Sequence, residues 1–283
     1  MQDAPQASAN HSTAESRQAL RNQALIDVFN ENFASKFQSP VVFLDDQILS
    51  SASCIRFYNK DFAYLSRQLY LEYQYRSWKD FNKEVLDRYS ELVNKKLESI
   101  QTLLRNTTER LTKLLSQNGI QMETSLYPNP SQLTVPVIAS QARMFFNLLL
   151  DLDRVNHLAG TANLWGVIDS TQRADAEFIC KKAVRAFRSI MLTEAPKIYR
   201  EGARVLAEQN KTGKVDTKME KIIEEHGKEL NSLDDNDESG SDAGMSLNGS
   251  DPSQFIDDAA AASIAASKAK RPGARAAANA ATA

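Results

Sequence analysis

Residues 131–155, "SQLTVPVIASQARMFFNLLLDLDRV", pass from an alternating run into a strongly apolar helical stretch, and how they are read decides the fold. If residues 131–137 are extended, Leu133, Val135 and Val137 share one face while Gln132, Thr134 and Pro136 share the other. Pro136 removes a ladder donor, which confines such a strand to an edge or to a position where its nitrogen faces outward. The preceding "YPNPS", residues 127–131, supplies turn chemistry, so "QMETSL", residues 121–126, is the expected hairpin partner. Almost everything else has the spacing of polar, charge-studded helix. The expected fold is therefore mainly α with a small β-ribbon.

On the C-terminal side, helices are predicted over about 139–158 and 170–192, separated by "AGTANLWGVID", with a further helix over about 197–209 that ends at "NKTGK". On the N-terminal side, Trp78, Phe81, Val85, Tyr89, Leu92, Leu97, Ile100, Leu104, Leu111 and Leu114 form a near-heptad seam that stops at Asn118 and Gly119. Such a seam serves either a core-facing helix of the same domain or an intermolecular coiled coil. Further upstream, Ser12 and Glu15 have capping-box spacing and open a helix whose face runs through Leu20, Leu25, Phe29, Phe33 and Phe37. "PVVFL", residues 40–44, is strand-like and leads into a predicted loop, "DDQILSSASC".

Charge divides the chain. Residues 229–258 hold nine carboxylates (Glu229, Asp234, Asp235, Asp237, Glu238, Asp242, Asp251, Asp257 and Asp258) and no Lys or Arg, whereas 259–283 hold only Lys268, Lys270, Arg271 and Arg275. Against a chain total of −2, this leaves a mildly basic body. The expected organisation is a disordered N-terminus at 1–11, an α-helical domain with the ribbon at 12–228, and a disordered tail at 229–283, acidic first and then rich in Ala, Lys and Arg. No apolar run approaches the ~20 residues that span a bilayer, and residues 1–16 have no secretory pattern. Two cysteines without CxxC spacing fit a reducing compartment. A soluble, cytoplasmic protein is expected.

The motifs that usually announce catalysis are missing. The sequence contains no GxxxxGK[ST], no GxGxxG after a strand and no GxSxG. Its three histidines have no metal-ligand spacing, and "DDNDESGSD", residues 234–242, lacks the Gly and the bidentate Glu of a calcium loop. Cys180 reads as a small buried hydrophobe on an amphipathic helix. No enzyme activity, metal or cofactor is expected.

Binding chemistry is more visible. The helix from Ser170 carries Lys181, Lys182, Arg185 and Arg188 beside an apolar stripe of Ile179, Ala183, Phe187 and Ile190, and its start at Asp169, Ser170 and Thr171 offers caps and backbone N–H groups to a phosphate. Lys197, Arg200 and Arg204 form a second basic stripe. A solvated helix face and a polyanion-binding surface both fit these stripes. The face with Gln132 and Thr134 can be read as an ordinary edge strand or as a ribbon that enters the DNA major groove, where Gln bonds adenine edges.

The stretch from Leu133 to Met191 combines an extended segment, an "LLxDxDR"-like centre at Leu149–Arg154, a Leu-x-Gly hinge at Leu164–Gly166 and a basic helix. In this it resembles a protein family encoded by integrating conjugative elements and conjugative plasmids, in particular the AcaB-type transcriptional activators of plasmid transfer, which are ribbon-helix-helix DNA-binding proteins. That resemblance implies a homodimer in which a strand from each chain pairs and enters the major groove of promoter DNA. Gln132 and Thr134 then read bases, Ser170, Thr171 and Arg173, together with Lys181, Lys182, Arg185 and Arg188, hold phosphates, and an activator of this kind also touches RNA polymerase. Pro136 inside the ribbon and the long connection between helices depart from the pattern, which leaves "QMETSL" and "PVVFL" as alternative ribbon strands. The other functional reading is a non-enzymatic structural or adaptor protein of the conjugation machinery.

Overall fold

A computed structural model of the chain describes residues 6–120, 126–212 and 217–234. In chain order its elements are α1 (Gln6–Phe29), α2 (Glu31–Lys36), β1 (Val42–Leu49), α3 (Ala52–Phe57), a π-helical turn (Tyr58–Phe62) that runs into α4 (Ala63–Arg76), α5 (Lys83–Gln117), β2 (Ser131–Val137), α6 (Ser140–Leu164), α7 (Ser170–Thr212) and α8 (Thr217–Asp234). The protein is mainly helical with a two-stranded antiparallel ribbon, as the patterning predicts.

The heptad seam is an intramolecular one. Leu86, Tyr89, Val93, Leu97, Ile100, Leu104, Thr107, Leu111 and Leu114 alternate at spacings of three and four residues along α5, and all are buried. They pack on α6 and α7, whose own buried stripes include Phe145, Leu149, Leu152 and Val155 on α6 and Cys180, Val184, Phe187 and Met191 on α7. Of the residues expected on the seam, Val85 is half-buried against the core and Leu92 is exposed. The apolar face of α7 is likewise rotated from the expected one: Ile179, Ala183 and Ile190 are half-buried at its edge. Aromatic rings lock the centre, where Phe145 stacks on Phe187 at 5.4 Å and Tyr58 and Phe62 both meet Phe146 edge-on.

The partner of β2 among the described residues is β1. Val42 pairs with Val137 and Leu49 with Ser131, with a bulge between Leu44 and Gln47 where Asp46 adopts φ 56°. Of the expected hairpin partner, residues 121–125 lie outside the described residues, and Leu126 is not in a strand. The "DDQIL" expected as loop therefore continues β1, because the bulge takes up the two aspartates and returns Ile48 and Leu49 to register. The ribbon joins two strands of one chain, whereas the family resemblance implied a strand from each of two chains. Its structural role is closure: it ties the chain entering α3 to the chain leaving α5.

Local chemistry moved several helix boundaries. α1 starts at Gln6, upstream of the Ser12 capping box, and it ends at Asn30, whose φ of 67° breaks the expected helix to Gln38. Asn30 Oδ1 accepts from the Phe33 N–H at 2.9 Å and opens α2. Phe29, Phe33, Phe37 and Tyr70 still form one ring ladder across that break, with centroids 4.9–5.2 Å apart. The two helices expected over 170–192 and 197–209 are one, with Pro196 inside it. A proline there costs about 3 kcal/mol, and burial of Met191, Ala195, Ile198 and Val205 on both sides offsets it. α8 extends to Asp234 through the expected boundary at 228, and residues 1–5 and 235–283, to which the two disordered segments were largely assigned, lie outside the described residues.

α6 ends in a glycine cap. The Gly166 N–H donates to Asn163 O at 2.9 Å and the Val167 N–H to Ala162 O at 2.8 Å, with Gly166 at φ 68°. A Cβ at this position meets nothing within 4 Å. Gly166→Ala is therefore expected to cost about 1 kcal/mol from the left-handed backbone alone, read as a fall in thermal midpoint of about 2–4 °C; an unchanged midpoint refutes the strain argument.

Candidate nucleic-acid interface

α3 packs on α6 and runs into the π-turn that reaches α7. Its N-terminus is held from outside, because Asp153 of α6 accepts the backbone N–H groups of Ser50 and Ser51 at 2.9 and 2.6 Å. Asn156, one turn on, donates its amide to Ser51 Oγ and Ser53 Oγ at 3.0 and 3.1 Å. These bonds fix where the following residues point. The π-turn inserts one extra residue into the helix and sets Asp61 inward, where its carboxylate meets Arg188 Nε at 3.0 Å with both side chains mostly buried. Seven residues earlier, Cys54 is fully buried where α3 packs on α6.

The Asp61–Arg188 contact joins two basic stretches into a seam: Arg56 and Lys60 are exposed on α3 and the π-turn, and Lys182 and Arg185 are exposed on α7. Lys181 and Arg188 are half-buried and bind Glu177 and Asp61. Glu177 binds Arg173 Nε and Lys181 Nζ, each at 2.8 Å. Burial opposes its ionisation, but the two cations outweigh it and hold the carboxyl below its ordinary range. Measured along α7, Arg173 to Arg188 covers about 22 Å at 1.5 Å per residue.

The residues expected to hold phosphates therefore divide. Ser170 and Thr171 are exposed in the first turn of α7, but that turn already has an anion: Asp169 Oδ1 accepts the Gln172 N–H at 2.8 Å while Gln172 Oε1 accepts the Asp169 N–H at 2.9 Å, a reciprocal capping box. Arg173, Lys181 and Arg188 have carboxylate partners. Lys182 and Arg185 are exposed, and Arg185 also has an interaction partner. The second stripe is largely self-neutralised, because Lys197 pairs with Glu194 at 2.6 Å and Arg204 with Glu201 and Glu208 at 2.6 and 2.7 Å. Arg56 and Lys60 escaped the sequence reading. "SSASCIRFYNK" shows no periodic apolar face before Lys60, and the entry to its helix is held by Asp153 of α6.

The expected base readers stand apart from this seam. Gln132 is exposed at the open end of the ribbon, where its Nε2 donates to Asp46 Oδ1 at 2.8 Å. Thr134 is half-buried beside the bulge. Further along the same face, Pro136 is buried opposite Phe43, and Arg21 of α1 lies over the Phe43 ring at 5.8 Å and binds Asp45 at 2.5 Å. α1 thus lies across the ribbon face that a major groove has to receive. A carboxylate beside Gln132 also opposes the approach of a phosphate backbone.

Both thiols are inert by placement. Cys54 and Cys180 are fully buried, and burial pushes them up to about 12 and about 11, so neither is a thiolate at neutral pH. The native protein is expected to give no fast reaction with a disulfide reagent at pH 8, and two equivalents once unfolded in guanidinium; rapid modification of the folded chain contradicts this packing.

No helix among the described residues is long and apolar enough to cross a membrane, and no cluster of His, Cys, Asp and Glu in them has metal-binding geometry. No protein-family profile matches the chain, and no curated protein does. Among solved structures, the chain is similar to the crystal structure of selenomethionine-containing AcaB from uropathogenic E. coli, at 20% identity and a TM-score of 0.46, over 79% of this chain and 98% of that one.

Proposed function

We propose that this chain is a non-enzymatic, cytoplasmic DNA-binding regulator that engages duplex DNA through the α3–α7 seam. The observation that carries this reading is the exposure of Arg56, Lys60 and Lys182 on α3, the π-turn and α7, stretches that the Asp61–Arg188 pair joins. A row about 22 Å long matches the rise of six or seven base pairs at ~3.4 Å each. Backbone contact of this kind supplies affinity and orientation; base reading has to come from other groups. Promoter DNA of the transfer genes of a mobile element, a homodimer and RNA polymerase are the partners that the sequence resemblance adds.

A mobility-shift titration of the full chain against promoter fragments of its own element, at several salt concentrations, tests the reading. Retardation at 50 mM salt that weakens steeply as salt rises is expected, and a specific complex that survives competitor DNA identifies a regulator. Failure to retard any duplex at 50 mM refutes it, because non-specific phosphate contacts are strongest there.

A further inference from the structure

We propose that a cleft between α4, the Val42–Val137 end of the ribbon and the first turn of α6 binds a free α-amino acid with an apolar side chain. This site is independent of the DNA reading. Three observations support it.

The first is the cavity. The ladder ends at the Val42–Val137 pair, and beyond it the two chains part, one back toward α2 and the other on into α6. Facing that gap are Leu69, Glu72, Tyr73 and Arg76, which share one stripe of α4 at spacings of three and four residues. The space enclosed is about 380 Å³, within the range of ~300–1000 Å³ usual for small-molecule sites. Pro40, Leu69, Tyr70 and Ile138 give it apolar walls.

The second is a place for a carboxylate. α6 opens on Ala139, which makes no side-chain cap, and its first turn contains no acid. The Ser140 hydroxyl is turned to Gln141 Oε1 at 2.9 Å. The first N–H groups of α6 therefore have no side-chain acceptor, and Ala139, Ser140 and Gln141 line the cleft. A carboxylate satisfies such N–H groups and suits the positive end of the helix dipole.

The third is a place for an ammonium. Glu72 lines the same cleft and is 6% exposed. Its Oε1 takes both of its bonds, from Arg76 Nη2 at 3.0 Å and from the Ser90 hydroxyl, which leaves Oε2 to accept from a ligand. Arg76 is itself engaged by Asp87 at 2.8 Å, so the carboxylate of a ligand belongs at α6 and its ammonium at Glu72. A sphere of 380 Å³ is about 9 Å wide. Two hydrogen bonds of ~2.9 Å and the ~3 Å between the charged groups of an α-amino acid span that width.

Amide NMR spectra of the full chain, titrated separately with L-leucine, L-methionine and L-phenylalanine to 10 mM, test the site. At least one is expected to shift the Ser140 and Gln141 resonances saturably, with half-effect below about 1 mM. The matching acid without the amine, and the matching amine without the acid, are expected to bind at least tenfold more weakly. No shift at Ser140 and Gln141 with any of the three overturns the site, and equal binding of either one-charge analogue overturns the assignment to a zwitterion.

Two variants separate the ends. Glu72→Gln is expected to weaken the amino acid at least tenfold while leaving its deaminated analogue within twofold; equal losses for both overturn the role of Glu72. Because Glu72 also holds Arg76, Ser140→Pro tests the other end without disturbing it. Proline suits the first position of a helix and removes only an N–H, and Ala139 already has the extended backbone that precedes proline, at φ −145° and ψ 148°. The variant is expected to keep its circular dichroism and to lose about fivefold in affinity, read at Gln141. Unchanged affinity overturns the placement of the carboxylate.

Discussion

Full-length protein carrying Arg56→Gln, Lys60→Gln and Lys182→Gln is expected to bind any duplex roughly 1000-fold more weakly than the parent at 50 mM salt. Each phosphate neutralised by a side chain releases about 0.9 of a counterion, so at 50 mM each contact is worth about a factor of ten. The three side chains stand on α3, the π-turn and α7 and are exposed, so their loss leaves the core intact. Lys181 and Arg188 are left out of the variant, because each holds a carboxylate of the fold and its removal mixes binding with stability. Fluorescence anisotropy across 50–300 mM salt gives the slope of log affinity against log salt, which is expected to fall by about 2.7. An unchanged slope with unchanged circular dichroism identifies three merely solvated side chains. The loss is expected for all sequences alike, whereas Gln132→Ala is expected to leave affinity within about twofold, since Gln132 is engaged by Asp46 and α1 crosses the ribbon face.

Acid is expected to release α8. His226 is 1% exposed, its Nδ1 pairs with the Tyr75 hydroxyl at 2.7 Å, and its Nε2 is buried with no hydrogen-bond partner. Burial lowers the imidazole to about 4, against an ordinary value of about 6.5 in the unfolded chain. The folded state therefore binds fewer protons between these values, so the stabilisation is fully present above pH 6.5 and is lost as pH falls toward 4. The difference corresponds to something on the order of 3 kcal/mol. Trp78 reports it: the indole is 9% exposed and packs edge-on against Tyr75 at 4.7 Å. Denaturant midpoints followed by its fluorescence are expected to drop between pH 6.5 and 4.5 and to drop less in His226→Gln, whose amide does not titrate and keeps a hydrogen-bonding group toward Tyr75. Equal pH dependence in the two proteins contradicts the assignment to His226. The same contact bears on truncation. A chain ending at Lys228 keeps His226 but removes the last turns of α8, and is expected to be less stable than one ending at Asp234.

Periodicity was enough to place α5, α6 and the first half of α7, because each buries one face and a 3.6-residue repeat records which residues share it. The alternation in residues 131–137 was enough to place β2 and the face on which Leu133, Val135 and Val137 enter the core. The absence of nucleotide, metal and nucleophile motifs directed attention to charged helix faces.

Other features depended on groups far away in sequence. β2 found β1 across about 80 residues because both its flanks are tied into the same bundle, and no local spacing distinguishes that partner from residues 121–126. The entry into α3 is held by Asp153, about 100 residues later, which accepts the N–H groups of Ser50 and Ser51 just before the helix. Asp61 and Arg188 became a pair only when the π-turn and α7 were packed together. The one-dimensional sequence by itself determined which residues lie on a common face of one element, since that follows from backbone geometry. The tertiary structure alone decided which faces meet and which cations keep a net charge, since burial and Coulomb attraction act through space without regard to order along the chain.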